Sequence, residues 1–355
     1  MTDLALDYHY MQLPREVIVG KGTLNRIAEV TQRLGFTGSA LIIAGQISCE
    51  IAGKKVRNLL QQTGMNVDTL LVEKVTMRDV AAVEDRINAW KPRIVFAVGG
   101  GTKIDAAKLS SARQRTPFIS VPTTVSHDGI AGPFASIKGF DKPYSVLAQA
   151  PLAIVADTDV IEKAPWRSVV SGCGDVISKL TAVKDWQLAH REKSEYYGEY
   201  AASLALMSAK LIIENAGKMY QGNEEGVRIL LEALISCGVA MSIAGSSRPC
   251  SGAEHLFSHA LDMINGSHAM HGEQCGVGAI MMAYLHGEDW KKIRKTLVDI
   301  DAPTTALQLE IKDEEVVKAL EVAPTIRPER YTILHKLKLS YEACKKVARK
   351  TGVIG

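Results

Sequence analysis

Through the first 160 residues, short runs of β-branched and other apolar residues alternate with stretches whose apolar positions recur at helical spacing. The runs at 17–19, 40–44, 67–72, 94–98 and 118–121 read as strands, and 23–34 and 80–90 as amphipathic helices between them. Such alternation predicts a mainly parallel sheet covered by helices. Residues 134–148 break the rhythm: a Gly-Phe-Asp-Lys-Pro turn between two extended arms predicts a β-hairpin. A last buried strand is expected at 152–156.

Beyond residue 161 the pattern changes. From Pro165 onward Ala, Leu, Met and Lys dominate at helical spacing, with breaks at 172–174, Gly217, 245–252 and Asn265-Gly266. We therefore expect an α/β, Rossmann-like N-terminal domain over 1–160 and an all-helical C-terminal domain over 161–355. A cleft between two such domains is a common ligand site.

The composition narrows the function classes. A formal net charge of +3 from 42 basic and 39 acidic residues implies no field for nucleic acid. The basic stretches 291–295 and 345–350 are interrupted by apolar residues at helical spacing and read as solvated helix faces. Six cysteines without a C-x-x-C pair point to a reduced, cytoplasmic setting. No signal-peptide pattern opens the chain, and no later run is expected to reach the roughly 18 apolar residues that cross a membrane.

Three segments carry candidate chemistry. KPRIVFAVGGGTKIDAAK is a buried strand, three glycines and a helix. Gly99, Gly100 and Gly101 let the backbone approach a ligand, and the helix opening at Thr102 offers free N–H groups to an anion such as a pyrophosphate. The same sequence also suits a plain tight turn, and it is neither G-x-G-x-x-G nor a Walker A loop. PTTVSHDG gathers Thr123, Thr124, Ser126, His127 and Asp128 where ligands of open α/β sheets collect. GAEHLFSHAL puts His255 and His259 on one helix face, and His271 follows at the start of the next helix. With Asp175 these form a candidate metal set that leaves a coordination position open; the alternative is hydrogen-bonded core histidines.

Taken in order, GGGTKIDAAK, PTTVSHDG, GCGDVISKLTAVKDWQLAH, SRPCSGAEHLFSHALD and MHGEQCGVGAIM resemble the metal-dependent polyol dehydrogenase superfamily that includes glycerol dehydrogenase and dehydroquinate synthase. TAVKDWQLAH and AMHGEQCGVG point to its archaeal glycerol-1-phosphate branch. The resemblance implies a dehydroquinate synthase-like fold and a zinc ion on Asp175, His255 and His271. It places Asp128 and His259 against the substrate, as catalytic contacts, beside Asp175. NAD or NADP would lie on Gly99–Thr102, with Lys103 and Asp105 adjacent and Thr123, Thr124 and Ser126 in contact. Gly132 occupies a cofactor-binding position where many relatives carry Ser. The implied reaction is reversible hydride transfer between dihydroxyacetone phosphate and sn-glycerol 1-phosphate, for ether-lipid synthesis, by a soluble homo-oligomer.

Two relatives keep these residues as alternatives: a glycerol dehydrogenase acting on unphosphorylated polyols, and a cyclising lyase of the dehydroquinate synthase type. A non-enzymatic helical interaction protein would lack the ligand set. Lys138, Lys142, Arg248 and His268 stand near the motifs as candidates for the substrate phosphate, none of them assigned.

Overall fold

The computed structural model describes residues 11–73, 76–137, 144–266 and 269–355. Strands β1 (Glu16–Gly20), β2 (Ser39–Ala44), β3 (Asn66–Leu71), β4 (Ile94–Gly99), β5 (Phe118–Pro122) and β8 (Ala153–Asp157) form one sheet in the order β1-β8-β5-β4-β2-β3. Every pair in it is parallel. All six expected strands are present within two residues of the positions read from the sequence.

Because side chains alternate across a strand, the central strands are buried on both faces. Val95 and Ala97 of β4 enter one core with Leu41, Ile43, Ile154 and Ala156, and this core continues into the helical half. Ile94, Phe96 and Val98 enter the other with Ala40, Ile42 and Val155, under the helices Ile27–Arg33 and Lys54–Gln62. Connections after β2 and after β4 thus leave on opposite faces, which opens a crevice outside their carboxyl ends.

The expected hairpin is β6 (Phe134–Ile137) paired antiparallel with β7 (Tyr144–Leu147). Its turn lies outside the described residues. From Trp166 on, the described residues are helical with no strand. The helix Glu224–Ala244 corrects one expectation: by length and composition it could cross a membrane, with a mean hydropathy of 1.8. Most of that window is covered by other helices, so its apolar surface builds the core. In the basic stretches, Lys291, Lys292 and Lys295 are exposed, whereas Arg294 donates to Thr351 O and Gly352 O beyond the last helix.

The helices Trp166–Ile177 and His271–His286 meet backbone to backbone. A Cβ on Gly272 would stand 1.9 Å from Ser171 O, and one on Gly174 would stand 2.3 Å from Gly272 O. On its other side the first helix packs at Gly172 against Val125 of the loop after β5, where a Cβ would stand 2.0 Å from Val125 O. These contacts bring the loop, Asp175 and His271 together.

Candidate active site

Gly99 and Pro122 are register partners at the ends of β4 and β5, so the glycine turn and the PTTVSHDG loop leave the sheet side by side. The turn runs into the helix Gly101–Arg113, whose first N–H groups and positive dipole end face the cleft. The loop closes on the turn: a Cβ at Gly101 would stand 1.9 Å from His127 Nε2, and one at Gly100 would stand 2.6 Å from Thr124 Oγ1. Lys103 crosses the crevice to donate to Glu73 O at 3.0 Å, lying over Gly45, where a Cβ would stand 2.4 Å from Lys103 Cε.

A cavity of about 650 Å³ separates this edge from the helical half. Gly101, Thr102, Asp105, Ser126 and Asp128 line one side, and His255, His259 and His271 the other. Thr123 donates its N–H to Gly99 O and lies behind that wall. Gly132 is buried against Gly238 and Met241 and is not among the lining residues. Asp105 is held by Lys108 at 3.0 Å and by the Ser136 N–H at 3.1 Å, which ties the hairpin to the glycine-turn helix.

On the helical side of the cavity, donor atoms of Asp175, His255, His271 and Cys275 all lie within 4.8 Å of one another. Ligands of one tetrahedral ion at ordinary bond lengths stand roughly 3.4–3.6 Å apart. His255 Nε2 is 3.5 Å from Asp175 Oδ1, and His271 Nε2 is 3.5 Å from Cys275 Sγ. The residues fit a metal ion, with Cys275 as a fourth donor.

The surroundings fix which nitrogens face that centre. Glu254, fully buried, accepts from His255 Nδ1 at 2.9 Å and is itself held by the Gly252 N–H and Thr181 Oγ1. Ser258 donates to Gln274 Oε1, so His271 Nδ1 must be the donor to Ser258 Oγ at 3.0 Å. Both imidazoles therefore point Nε2 into the centre, where a metal ion would displace the proton of His255, the arrangement of metal-binding histidines oriented through their outer nitrogens.

Asp175 Oδ2 accepts the Asp128 N–H at 3.0 Å, and its Oδ1 meets Lys179 Nζ at 2.7 Å. Burial opposes its charge, yet the Lys179 ammonium and then His255 hold its carboxyl well below the usual carboxylate range. Lys179 is itself fully buried, and its Nζ also stands 2.9 Å from Asp128 Oδ2. His259 stacks on His271 with ring centroids 5.8 Å apart. Burial, then the charges of His255, Arg327 and Arg330, push its pKa down to about 3, so its imidazole is neutral.

The structure brings Asp128, Asp175, His255, His259 and His271 to one place. Arg248 turns elsewhere: its guanidinium grips Glu195 and donates to Tyr331 O at 2.9 Å, outside the cavity lining. Lys138, Lys142 and His268 lie outside the described residues. Sequence reasoning missed Cys275, Lys179 and Glu254. The HGEQC spacing, with Cys275 one turn after His271, was a readable signal for the first.

A glycine turn facing a buried His/Asp centre across the cavity is the plan of a metal-dependent dehydrogenase. The iron-containing alcohol dehydrogenase family matches residues 18–165. The fold resembles that of glycerol dehydrogenase from Schizosaccharomyces pombe, with a TM-score of 0.79 and 22% identity over 98% of this chain and 94% of that one. Glycerol-1-phosphate dehydrogenase [NAD(P)+] of Thermococcus kodakarensis is 54% identical, covering 98% of this chain and 99% of the relative. The Methanosarcina mazei protein of the same name is 50% identical, covering 97% of each. The chain belongs to the glycerol-1-phosphate dehydrogenase family.

Proposed function

We propose that this chain reduces dihydroxyacetone phosphate to sn-glycerol 1-phosphate, reversibly, with NADH or NADPH. The observation that carries the reading is the convergence of Asp175, His255 and His271 directly across the cavity from the glycine turn, in a chain about half identical to relatives of that name. The N-terminal 1–160 part holds the cofactor and the helical 161–355 part the metal.

Asp175, His255 and His271 would hold a zinc ion, which when bound polarises a substrate carbonyl and offsets the negative charge that develops on its oxygen. Gly99–Thr102 receive the cofactor pyrophosphate at the helix N-terminus, with Lys103 at the crevice and Thr123, Thr124 and Ser126 alongside; Asp105 and Gly132 position this wall. A nicotinamide cofactor held by these residues would supply the hydride that reduces C2. Asp128 and His259 contact the substrate: His259, neutral, offers an N–H to the oxygen that becomes the hydroxyl, and Asp128, held by Lys179, accepts from a substrate hydroxyl. Six free cysteines support a reducing compartment, and we place the enzyme in the cytoplasm as a homo-oligomer.

The experiment is oxidation of NADH and NADPH with dihydroxyacetone phosphate against dihydroxyacetone, with and without chelator, resolving the product enantiomer. Chelator-sensitive turnover favouring the phosphate ester and giving sn-glycerol 1-phosphate supports the reading. Equal use of dihydroxyacetone would move the assignment to a glycerol dehydrogenase. Metal-replete protein that transfers hydride to neither ketone would move it to the lyase chemistry.

A further inference from the structure

Two short segments of the helical half also line the cavity. The 245–252 break between the helices Glu224–Ala244 and Ala253–Asn265 supplies Ser247 and Ser251, and residues 326–331 supply Arg327. Arg327 also reaches the hairpin, where its Nη2 stands 3.5 Å from Ser145 O.

The two segments are locked together by guanidinium groups. Arg330 donates to Ser251 O at 2.7 Å and to Ser247 Oγ at 2.8 Å. Arg248, buried, grips Glu195 and Tyr331 O. Of these three arginines only Arg327 lines the cavity, with Arg248 and Arg330 behind it, and the partners that fix Arg330 are neutral oxygens. Burial, then the charges of Arg327 and Arg248, pull the Arg330 pKa down to about 9, so these guanidiniums feel one another's charge. Because Arg330 donates to Ser247 Oγ, the Ser247 hydroxyl proton is left free to turn toward a ligand in the cavity. A planar guanidinium and a hydroxyl donor together make a receptor for a phosphate monoester dianion. The location suits the substrate: C2 of a three-carbon phosphate ester is three bonds from phosphorus, and His259, stacked on His271, feels the charge of Arg327.

We propose that Arg327, together with Ser247 as held by Arg330, binds the phosphate group of the substrate and is the residue that sets the preference for phosphorylated over unphosphorylated ketone. The assignment rests on the proposed dehydrogenase function.

The test compares kcat/KM for dihydroxyacetone phosphate and for dihydroxyacetone in the wild type, Arg327→Gln, Arg327→Lys and Ser247→Ala, each checked for an unchanged thermal transition. Losing one charged hydrogen-bonding contact lowers the preference ratio about 10- to 100-fold in Arg327→Gln. Arg327→Lys keeps the charge without the fork and falls between. Inorganic phosphate, competing against dihydroxyacetone as substrate, inhibits the wild type and loses potency by a similar factor in Arg327→Gln. A wild type that prefers the phosphate ester beside an Arg327→Gln variant with the same ratio and the same phosphate inhibition overturns this assignment alone. A wild type without preference for the phosphate ester overturns the proposed function and this assignment with it.

Discussion

The ammonium of Lys179 lies 2.7 Å from Asp175 Oδ1, one helical turn away, inside the protein and without solvent contact. The same nitrogen is 2.9 Å from Asp128 Oδ2, so one buried cation serves two carboxylates. Removing it takes the nearest cation from the buried Asp175 and the half-buried Asp128, which costs on the order of 3 kcal/mol. Lys179→Met is therefore expected to lower the thermal transition sharply in metal-free protein and much less with saturating zinc, because the ion supplies the missing charge. Scanning calorimetry with and without zinc reads this directly. Equal losses in both states would reduce Lys179 to a packing role.

Glu254 holds His255 by the nitrogen that points away from the centre. Partners of this kind typically change metal affinity about 10- to 100-fold. Glu254→Gln is expected to weaken zinc by that order in a chelator competition, with little change in the circular dichroism spectrum. Unaltered zinc affinity would mean that the helix alone orients the ring.

Cys275 Sγ is placed among the other donors at ligand spacing. Protein loaded with cobalt(II) is expected to show a near-ultraviolet thiolate charge-transfer band, absent in Cys275→Ser. A wild-type spectrum without the band would leave three protein ligands, whereas with it the substrate oxygen would join as a fifth ligand.

His335 contributes to the pH dependence of folding away from the metal centre. Its Nε2 meets Pro324 O at 3.0 Å and its Nδ1 meets Thr332 Oγ1 at 2.9 Å, and burial lowers its pKa below the ordinary 6.5. Below that value the unfolded chain takes up a proton that the native ring resists. The contribution is thus complete above pH 6.5 and lost as pH falls toward the native value. Urea unfolding of the wild type should lose stability more steeply below pH 6.5 than that of His335→Gln. Parallel curves would contradict it.

The strands were legible because buried parallel strands read as continuous apolar runs, as in Ile94–Gly99. His255 and His259 were legible because i, i+4 spacing survives any packing. Lys179 and Glu254 were not: a charged residue one turn from another looks like a surface pair, and only the tertiary fold reveals its burial. Cys275 lay in an apolar run, where a thiol reads as a small hydrophobe. Arg248 was noticed for its nearness in sequence, yet the cavity-facing guanidinium is Arg327, about eighty residues further on and in no motif.

The bare crossing at Gly174 and Gly272 sets the distance between Asp175 and His271 by main-chain contact rather than by interchangeable side chains. A methyl group at either glycine would pry the helices apart and pull one ligand out of reach. Arg327 sits on a peripheral segment with no such constraint. The molecule thus separates a mount that tolerates no revision from a rim open to it, so descendants of this chain can exchange one substrate for another while inheriting the same chemistry.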